Sequence, residues 1–180
     1  MVRWADPREL PGLVAVELAA DRLFEQVGIT FPPGTTMIEE AADPGLVLVE
    51  GTPPAGFALI GPLDGHLHLD QLAVHPADMR QGIGGRLVRA VLDHARATGA
   101  PRVTLTTYRD VPWNAPWYER HGFTVLPPGK WGPELAALVA HERSLGLEVA
   151  PRVVMSAGTG RSAADARPVG GEPVHGIVDR

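Results

Sequence analysis

The chain has 180 residues, 44% of them hydrophobic, a formal net charge of −5 and no cysteine. That length suits one α/β domain with a sizeable core, and the missing cysteine excludes disulfides, thiolate zinc sites and an acyl-cysteine intermediate. The negative charge argues against a broad nucleic-acid surface. No apolar run approaches the roughly 18 residues of a membrane span, and Met1-Val2-Arg3-Trp4-Ala5-Asp6 lacks the apolar core of a secretion signal. A soluble, cytoplasmic protein with neither a membrane nor a nucleic-acid partner is expected.

From Asp6-Pro7, apolar residues such as Leu10, Leu13, Val14, Leu18, Leu23 and Phe24 recur at helical spacing, which predicts one or two amphipathic helices ending at Gly28. After a loop around Phe31-Pro32-Pro33-Gly34, Leu46–Val49 and Gly56–Ile60 read as a hairpin of two strands separated by Thr52-Pro53-Pro54, and His66–Val74 as a third strand. Gly82–Ala97 carries Ile83, Leu87, Val88, Val91, Leu92 and Ala95, the pattern of a helix packed on a sheet, and Gly99 stops it. Val103–Thr107 is a strand, Asn114 is the expected N-cap of a short helix running through Arg120 to Gly122, and Phe123–Leu126 is another strand. A helix over Pro133–Leu145 and a strand over Arg152–Met155 complete a domain at 1–155. The Gly-rich stretch 156–180 is expected to be a flexible tail. The element order mixes antiparallel hairpins with one parallel crossover, an α/β (α+β) arrangement.

The most informative run is Leu72-Ala73-Val74-His75-Pro76, followed by Met79-Arg80-Gln81-Gly82-Ile83-Gly84-Gly85-Arg86-Leu87. A strand ends, the chain turns through glycines and a long helix begins, so backbone N–H groups and the positive helix end converge on an anion site. Glycines let a pyrophosphate approach the backbone, and Arg80 and Arg86 can add charge at the rim. A Rossmann loop would need a third glycine where Leu87 stands.

The run from His68 to Phe123 resembles the core of the GCN5-related N-acetyltransferases (GNAT). Val74-x-Pro76 with Arg80-Gln81-Gly82-Ile83-Gly84 is similar to their acetyl-CoA signature, Q/R-x-x-G-x-G/A, although its first position falls on Met79. Asn114-Ala115-Pro116-Trp117-Tyr118-Glu119-Arg120-His121-Gly122-Phe123 is similar to their second cofactor motif, ending in Y-E-x-x-G-F, with the asparagine closer to the tyrosine than in much of the family. The resemblance implies a mostly antiparallel sheet of about six or seven strands with one splayed parallel pair and four or five helices on both faces. It further implies acetyl-CoA as cofactor, bound by Leu72, Ala73, Val74, Arg80, Gln81, Gly82, Ile83, Gly84, Gly85, Asn114 and Tyr118, with a homodimer open as an assembly.

Transfer to an amine requires a base, because a free amine has a pKa of about 10.4, and an acid for the departing thiolate. By strand alternation His66, His68, Asp70 and Leu72 are expected to share a face. The resemblance places His68 where histone-acetylating members carry a glutamate base, and His68 with Asp70 where arylalkylamine-acetylating members carry two histidines. It also places Tyr118 where the family tyrosine reaches the sulfur. His68, Asp70 and Tyr118 are therefore the catalytic candidates, and the small-molecule amine they would serve is undefined. Phe24, Phe31, Trp113, Trp117 and Trp131 could wall its pocket, with Glu17, Glu25 or Glu39 as an ammonium anchor.

Two other readings stand beside this one. His66-x-His68-x-Asp70 has metal-ligand spacing on a strand, as in metallo-β-lactamase-type hydrolases, but Gln71 stands where that run needs a histidine. A GNAT-like protein that binds acyl-CoA without turnover is the third.

Overall fold

The structure, a computed structural model, describes residues 1–31, 33–41 and 46–160. Seven strands form one sheet: β1 (Val2–Trp4), β2 (Val47–Gly51), β3 (Pro54–Leu63), β4 (His66–Val74), β5 (Arg102–Tyr108), β6 (Thr124–Val125) and β7 (Arg152–Gly158). Their order is β1-β2-β3-β4-β5-β7-β6, and every neighbouring pair is antiparallel except β4–β5. The predicted mixed sheet with one parallel pair is therefore present.

Among the described residues, five α-helices cover it: α1 (Leu10–Asp21), α2 (Met37–Glu40), α3 (Ile83–Thr98), α4 (Ala115–Glu119) and α5 (Pro133–Ser144). On one face, α3 buries Ile83, Leu87, Val88, Val91 and Ala95 of the predicted series against Leu69, Leu105 and Met155, with Leu92 partly buried. Gly99 ends this helix at φ 79°, a left-handed position that costs glycine nothing. On the other face α1 and α2 pack Leu13, Val16 and Ile38 on Val49, Phe57 and Ala73, and α5 packs Leu135 and Val139 on Val154.

Three elements differ from the sequence expectation. The short edge strand β1 was not anticipated, because three residues carry no periodicity. Helix α2 sits where only a loop was expected; Thr36 and Glu39 form a capping box for it, and the Glu17 carboxylate accepts from the N–H groups of Met37 and Ile38 at 2.8 and 3.1 Å. Strand β7 does not stop at Met155 but continues to Gly158, pairing Ser156 with both Thr104 and Thr124. Of the expected tail 156–180, residues 161–180 lie outside the described residues.

The decisive irregularity lies in β4. Opposite it, Leu59 pairs with Gln71 and Ile60 with Leu69, so Asp70 is the extra residue of a β-bulge. The bulge resets the alternation: Leu67 and Leu69, then Leu72 and Val74, all meet the cluster under α3. Leu72 therefore does not share the face of His66 and His68, contrary to the simple period-two expectation.

Just before the bulge, β4 and β5 pair only at Leu67↔Val103 and His68↔Thr104, and then part. The last pair is also tied through side chains, with His68 Nδ1 2.8 Å from Thr104 Oγ1 and both residues 2% exposed. Burial lowers the His68 pKa from 6.5 to about 4, so the ring is neutral and serves as a clasp at the fork.

Two outcomes follow from these placements. A chain ending at Met155 should melt below one ending at Gly160, since it loses the pairs of Ser156, Ala157 and Gly158 with β5, which differential scanning calorimetry would show. Because the folded His68 pKa is depressed, its neutral burial favours folding above pH 6.5 and this advantage is lost as pH falls towards 4. The stability gap between wild type and His68→Gln, measured by denaturant titration, should therefore narrow across that window; a constant gap would refute a ring buried in its neutral form.

Candidate active site

Where β4 and β5 part, a cleft of about 610 Å³ opens between the two helical layers. It is lined by β4 from Leu69 to Val74, by β5 from Leu105 to Thr107, by the start of α3, by α4 and by Asp21 and Phe24 from the end of α1 and the turn after it. The His75 N–H donates to the Ala55 carbonyl at 2.8 Å, and mutual bonds in an antiparallel ladder fall on alternate pairs. Ala73 and Gln71 therefore use their backbone groups on β3. Those of Leu72 and Val74 face the other way, into the opening left by β5. The Ala73 side chain packs away from the cleft, with Leu13 and Phe57.

The glycine turn forms the second wall. Gly82 caps α3 in a left-handed conformation at φ 78°, and Arg80 is also left-handed at φ 63°. The first helical bond runs from the Arg86 N–H to the Gly82 carbonyl at 3.0 Å, which leaves the N–H groups of Ile83, Gly84 and Gly85 without intrahelical partners. Gly82, Ile83, Gly84 and Gly85 line the cleft together with Met79 and Arg80. A Cβ on Gly85 would stand 3.0 Å from His121 Nε2, so this glycine also permits the close approach of α3 to the turn after α4.

Two predicted contacts are absent from this wall. Gln81 is exposed outside the cleft, and its carbonyl accepts from Arg86 at 2.9 Å. The Arg86 Nε donates to both oxygens of Glu50 at 2.9 Å, and Arg86, expected at the rim, does not line the cleft. Arg80 is the one cation among the described residues lining the cleft.

Asn114 stands at the position before α4, but its side chain makes no capping bond. Its Nδ2 donates to Thr107 Oγ1 at 2.7 Å, which ties α4 to the free stretch of β5, and its Oδ1 is buried without a partner. Tyr118 lines the cleft at 8% exposure and packs on Phe123 with ring centroids 5.6 Å apart. Burial pushes its phenol pKa up, so the hydroxyl keeps its hydrogen across the physiological range.

The structure separates His68 from Asp70. His68, expected as the base, lies in the clasp and does not line the cleft; its ring is shut in by β4 and β5 and is hard to protonate. Asp70, pushed outward by the bulge, does line the cleft, and its carboxylate occupies space beside Gly61, where a Cβ would lie 3.1 Å from Oδ2. Burial, reinforced by the Glu142 charge, raises its pKa from 3.8 to about 6. His66, His68 and Asp70 do not converge, and among the described residues no three side chains of this kind are grouped to hold a metal ion.

Asp21 is a cleft residue that the sequence reading missed; burial and the neighbouring Glu17 raise its pKa to about 6. The signal was available, because Glu17 and Asp21 stand four apart on a predicted helix and must share a face. Of the expected ammonium anchors, Glu17 and Glu39 are occupied at the start of α2, and Glu25 is exposed. Among the expected aromatic walls, Phe24, Phe31 and Trp113 gather with Tyr108, Phe24 lying 5.7 Å from Trp113. Trp117 instead packs on Tyr118 and His121 beside Gly84, and Trp131 donates to the Leu126 carbonyl at 2.8 Å near α5.

Solved structures share this fold. N-acetylglutamate synthase from Neisseria gonorrhoeae, complexed with coenzyme A and N-acetyl-glutamate, superposes with a TM-score of 0.64 at 18% identity over 89% of this chain, which spans only 35% of that protein. Rv2747 from Mycobacterium tuberculosis, also complexed with CoA, gives 0.64 at 20% identity over 88% of this chain and 98% of its own. The ribosomal-protein-S18-alanine N-acetyltransferase from Escherichia coli gives 0.63 at 18% identity over 93% of this chain and 98% of its own. At these identities the likeness is one of fold. The sequence itself carries the assignment further, because the model of the acetyltransferase (GNAT) family matches residues 15–123, a span running from α1 through the fork and the glycine turn to Phe123. The chain belongs to that family.

Proposed function

We propose that this protein transfers an acetyl group from acetyl-CoA to a primary amine by direct attack, with Asp70 as proton acceptor. The observation that carries the reading is the fork: it turns the main chain of Leu72 and Val74 towards the orphaned N–H groups of Ile83, Gly84 and Gly85 across one cleft.

The residues present fit acetyl-CoA. The N–H groups at the start of α3, with Arg80 beside them, suit a pyrophosphate, since they combine unpaired donors with the positive end of a 16-residue helix. Val74, and Leu72 through its carbonyl, present backbone groups to an extended amide chain, as a sheet edge does for an added strand, while the Leu72 N–H donates to Gln71 Oε1 at 3.3 Å. The unpartnered Asn114 Oδ1 adds an acceptor on the facing wall. When bound, acetyl-CoA supplies an acyl group activated as a thioester.

The remaining chemistry belongs to the chain. Asp70 takes the proton that the amine must lose; a carboxylate with a pKa of about 6 is ionised at neutral pH and a stronger base than an ordinary aspartate. Tyr118 keeps its hydrogen and donates it in a hydrogen bond to the departing sulfur. Residues 1–160 form the catalytic unit in this reading.

Asp70→Asn is expected to lower kcat by on the order of 100-fold or more while leaving acetyl-CoA affinity unchanged. In the wild type, kcat should fall as pH drops through about 6, because Asp70 is then protonated, and this acidic limb should be absent from the residual rate of the variant. A thiol-release assay across pH reads both, and an unchanged limb in Asp70→Asn would exclude it as the base. Gly84→Asp places a carboxylate among the helix N–H groups and should abolish acetyl-CoA binding in calorimetry; retained affinity would show that the anion site is elsewhere.

A further inference from the structure

The two walls of the cleft carry opposite charge. Arg80 and the α3 amino terminus stand on one side, with Asp78 there set 3.9 Å from His75, whereas the side formed by α1, the turn after it and the bulge presents Asp21 and Asp70. Neither carboxylate is paired with a cation among the described residues. Arg152, on the same face of the sheet, is taken up by Glu142 at 3.3 Å and Thr106 at 3.0 Å, with its guanidinium over the Tyr108 ring. Two half-buried carboxylates without a partner are costly to keep ionised, and both are consequently held near pH 6. A cationic ligand would relieve that cost.

The rest of this wall is apolar. Phe24 and Trp113 line the cleft and meet at 5.7 Å, Tyr108 lies behind Phe24 at the same centroid distance, and the Trp113 Nε1 is buried without a partner. A substrate carboxylate brought to this wall would face two acids, and the one cation among the described lining residues, Arg80, stands on the other side. An amino acid, whose carboxylate stands one carbon from its nitrogen, is poorly matched. This separates the site from that of the Neisseria structure, whose N-acetyl-glutamate carries two carboxylates.

We infer that the acceptor is a small primary amine on an apolar or aromatic body, without a carboxylate beside the nitrogen, whose ammonium is received by Asp21 and Asp70 and whose body lies against Phe24 and Trp113. The inference rests on the reading that this cleft takes acyl-CoA and an amine. It divides the work of the two acids: Asp70 accepts the proton, and Asp21 holds the charged form on entry and sets specificity.

The test is equilibrium binding to the CoA-loaded protein, with phenethylamine and phenylalanine as probes that differ only by the α-carboxylate. Phenethylamine should bind at least tenfold more tightly, and Asp21→Asn should weaken it at least tenfold while leaving phenylalanine little changed. The CoA affinity of the variant, which depends on the opposite wall, certifies that it is folded, and Phe24→Ala provides a second variant that should weaken phenethylamine without charge being altered. Equal affinity for the two probes, or an Asp21→Asn protein that binds phenethylamine as the wild type does, would overturn the assignment. Selective amine binding with no thiol released from acetyl-CoA would leave this inference standing and defeat the transfer reading; turnover of amino acids without preference for phenethylamine would do the reverse.

Discussion

Parallel pairing of β4 with β5 lasts for two residue pairs, and the structure of the site depends on its ending there. A buried backbone amide left unpaired costs about 1–3 kcal/mol, so strands inside a sheet do not part without cause. Here two features impose the parting: the clasp of His68 on Thr104 fixes where pairing stops, and the Asp70 bulge immediately afterwards bends β4 away from its neighbour. The main chain of Leu72 and Val74 is thereby opened to a ligand without the strand losing its attachment to β3.

That single departure also sorts the side chains. The bulge keeps Leu72 and Val74 over the α3 cluster, brings Gln71 to the Glu17 carboxylate at 3.2 Å and presents Asp70 to the cleft. Glu17 in turn holds the start of α2, so the wall bearing Asp21 is braced on the same strand that carries Asp70. Low polarity then sets the protonation of each group in opposite senses. Burial keeps the His68 ring neutral, holds the Tyr118 hydroxyl protonated and raises both aspartates, because in every case the charged form loses its hydration. One acidic group thus gains basicity while the histidine beside it in sequence loses it.

The residues of the glycine turn and of α4 read from the sequence much as they stand in space. Gly82, Ile83, Gly84 and Gly85 form the amino terminus of a helix whose apolar stripe was visible by its spacing, and local backbone rules require little else. Tyr118 and Asn114 line the cleft because a short helix places them next to one another. By contrast, Gln81 and Arg86 looked equally suited to an anion. Only the position of Glu50, on a strand far away in sequence, decided that the Arg86 Nε is occupied.

The strand His66–Val74 marks the limit most clearly. Its existence, its place before the glycine turn and the single parallel crossover were determined by the sequence, through hydrophobic spacing and the order of elements. Which of His68 and Asp70 reaches the cleft was decided by tertiary structure. A bulge is set by pairing with β3, and pairing joins residues whose partnership no local pattern encodes. The same holds for Asp21: helical spacing put it on the face of Glu17, but only the packing of α1 against β4 brought it into one cavity with Asp70. The sequence determined which groups were available for chemistry, and burial, a property of the packed molecule, determined which of them are charged and which can be reached.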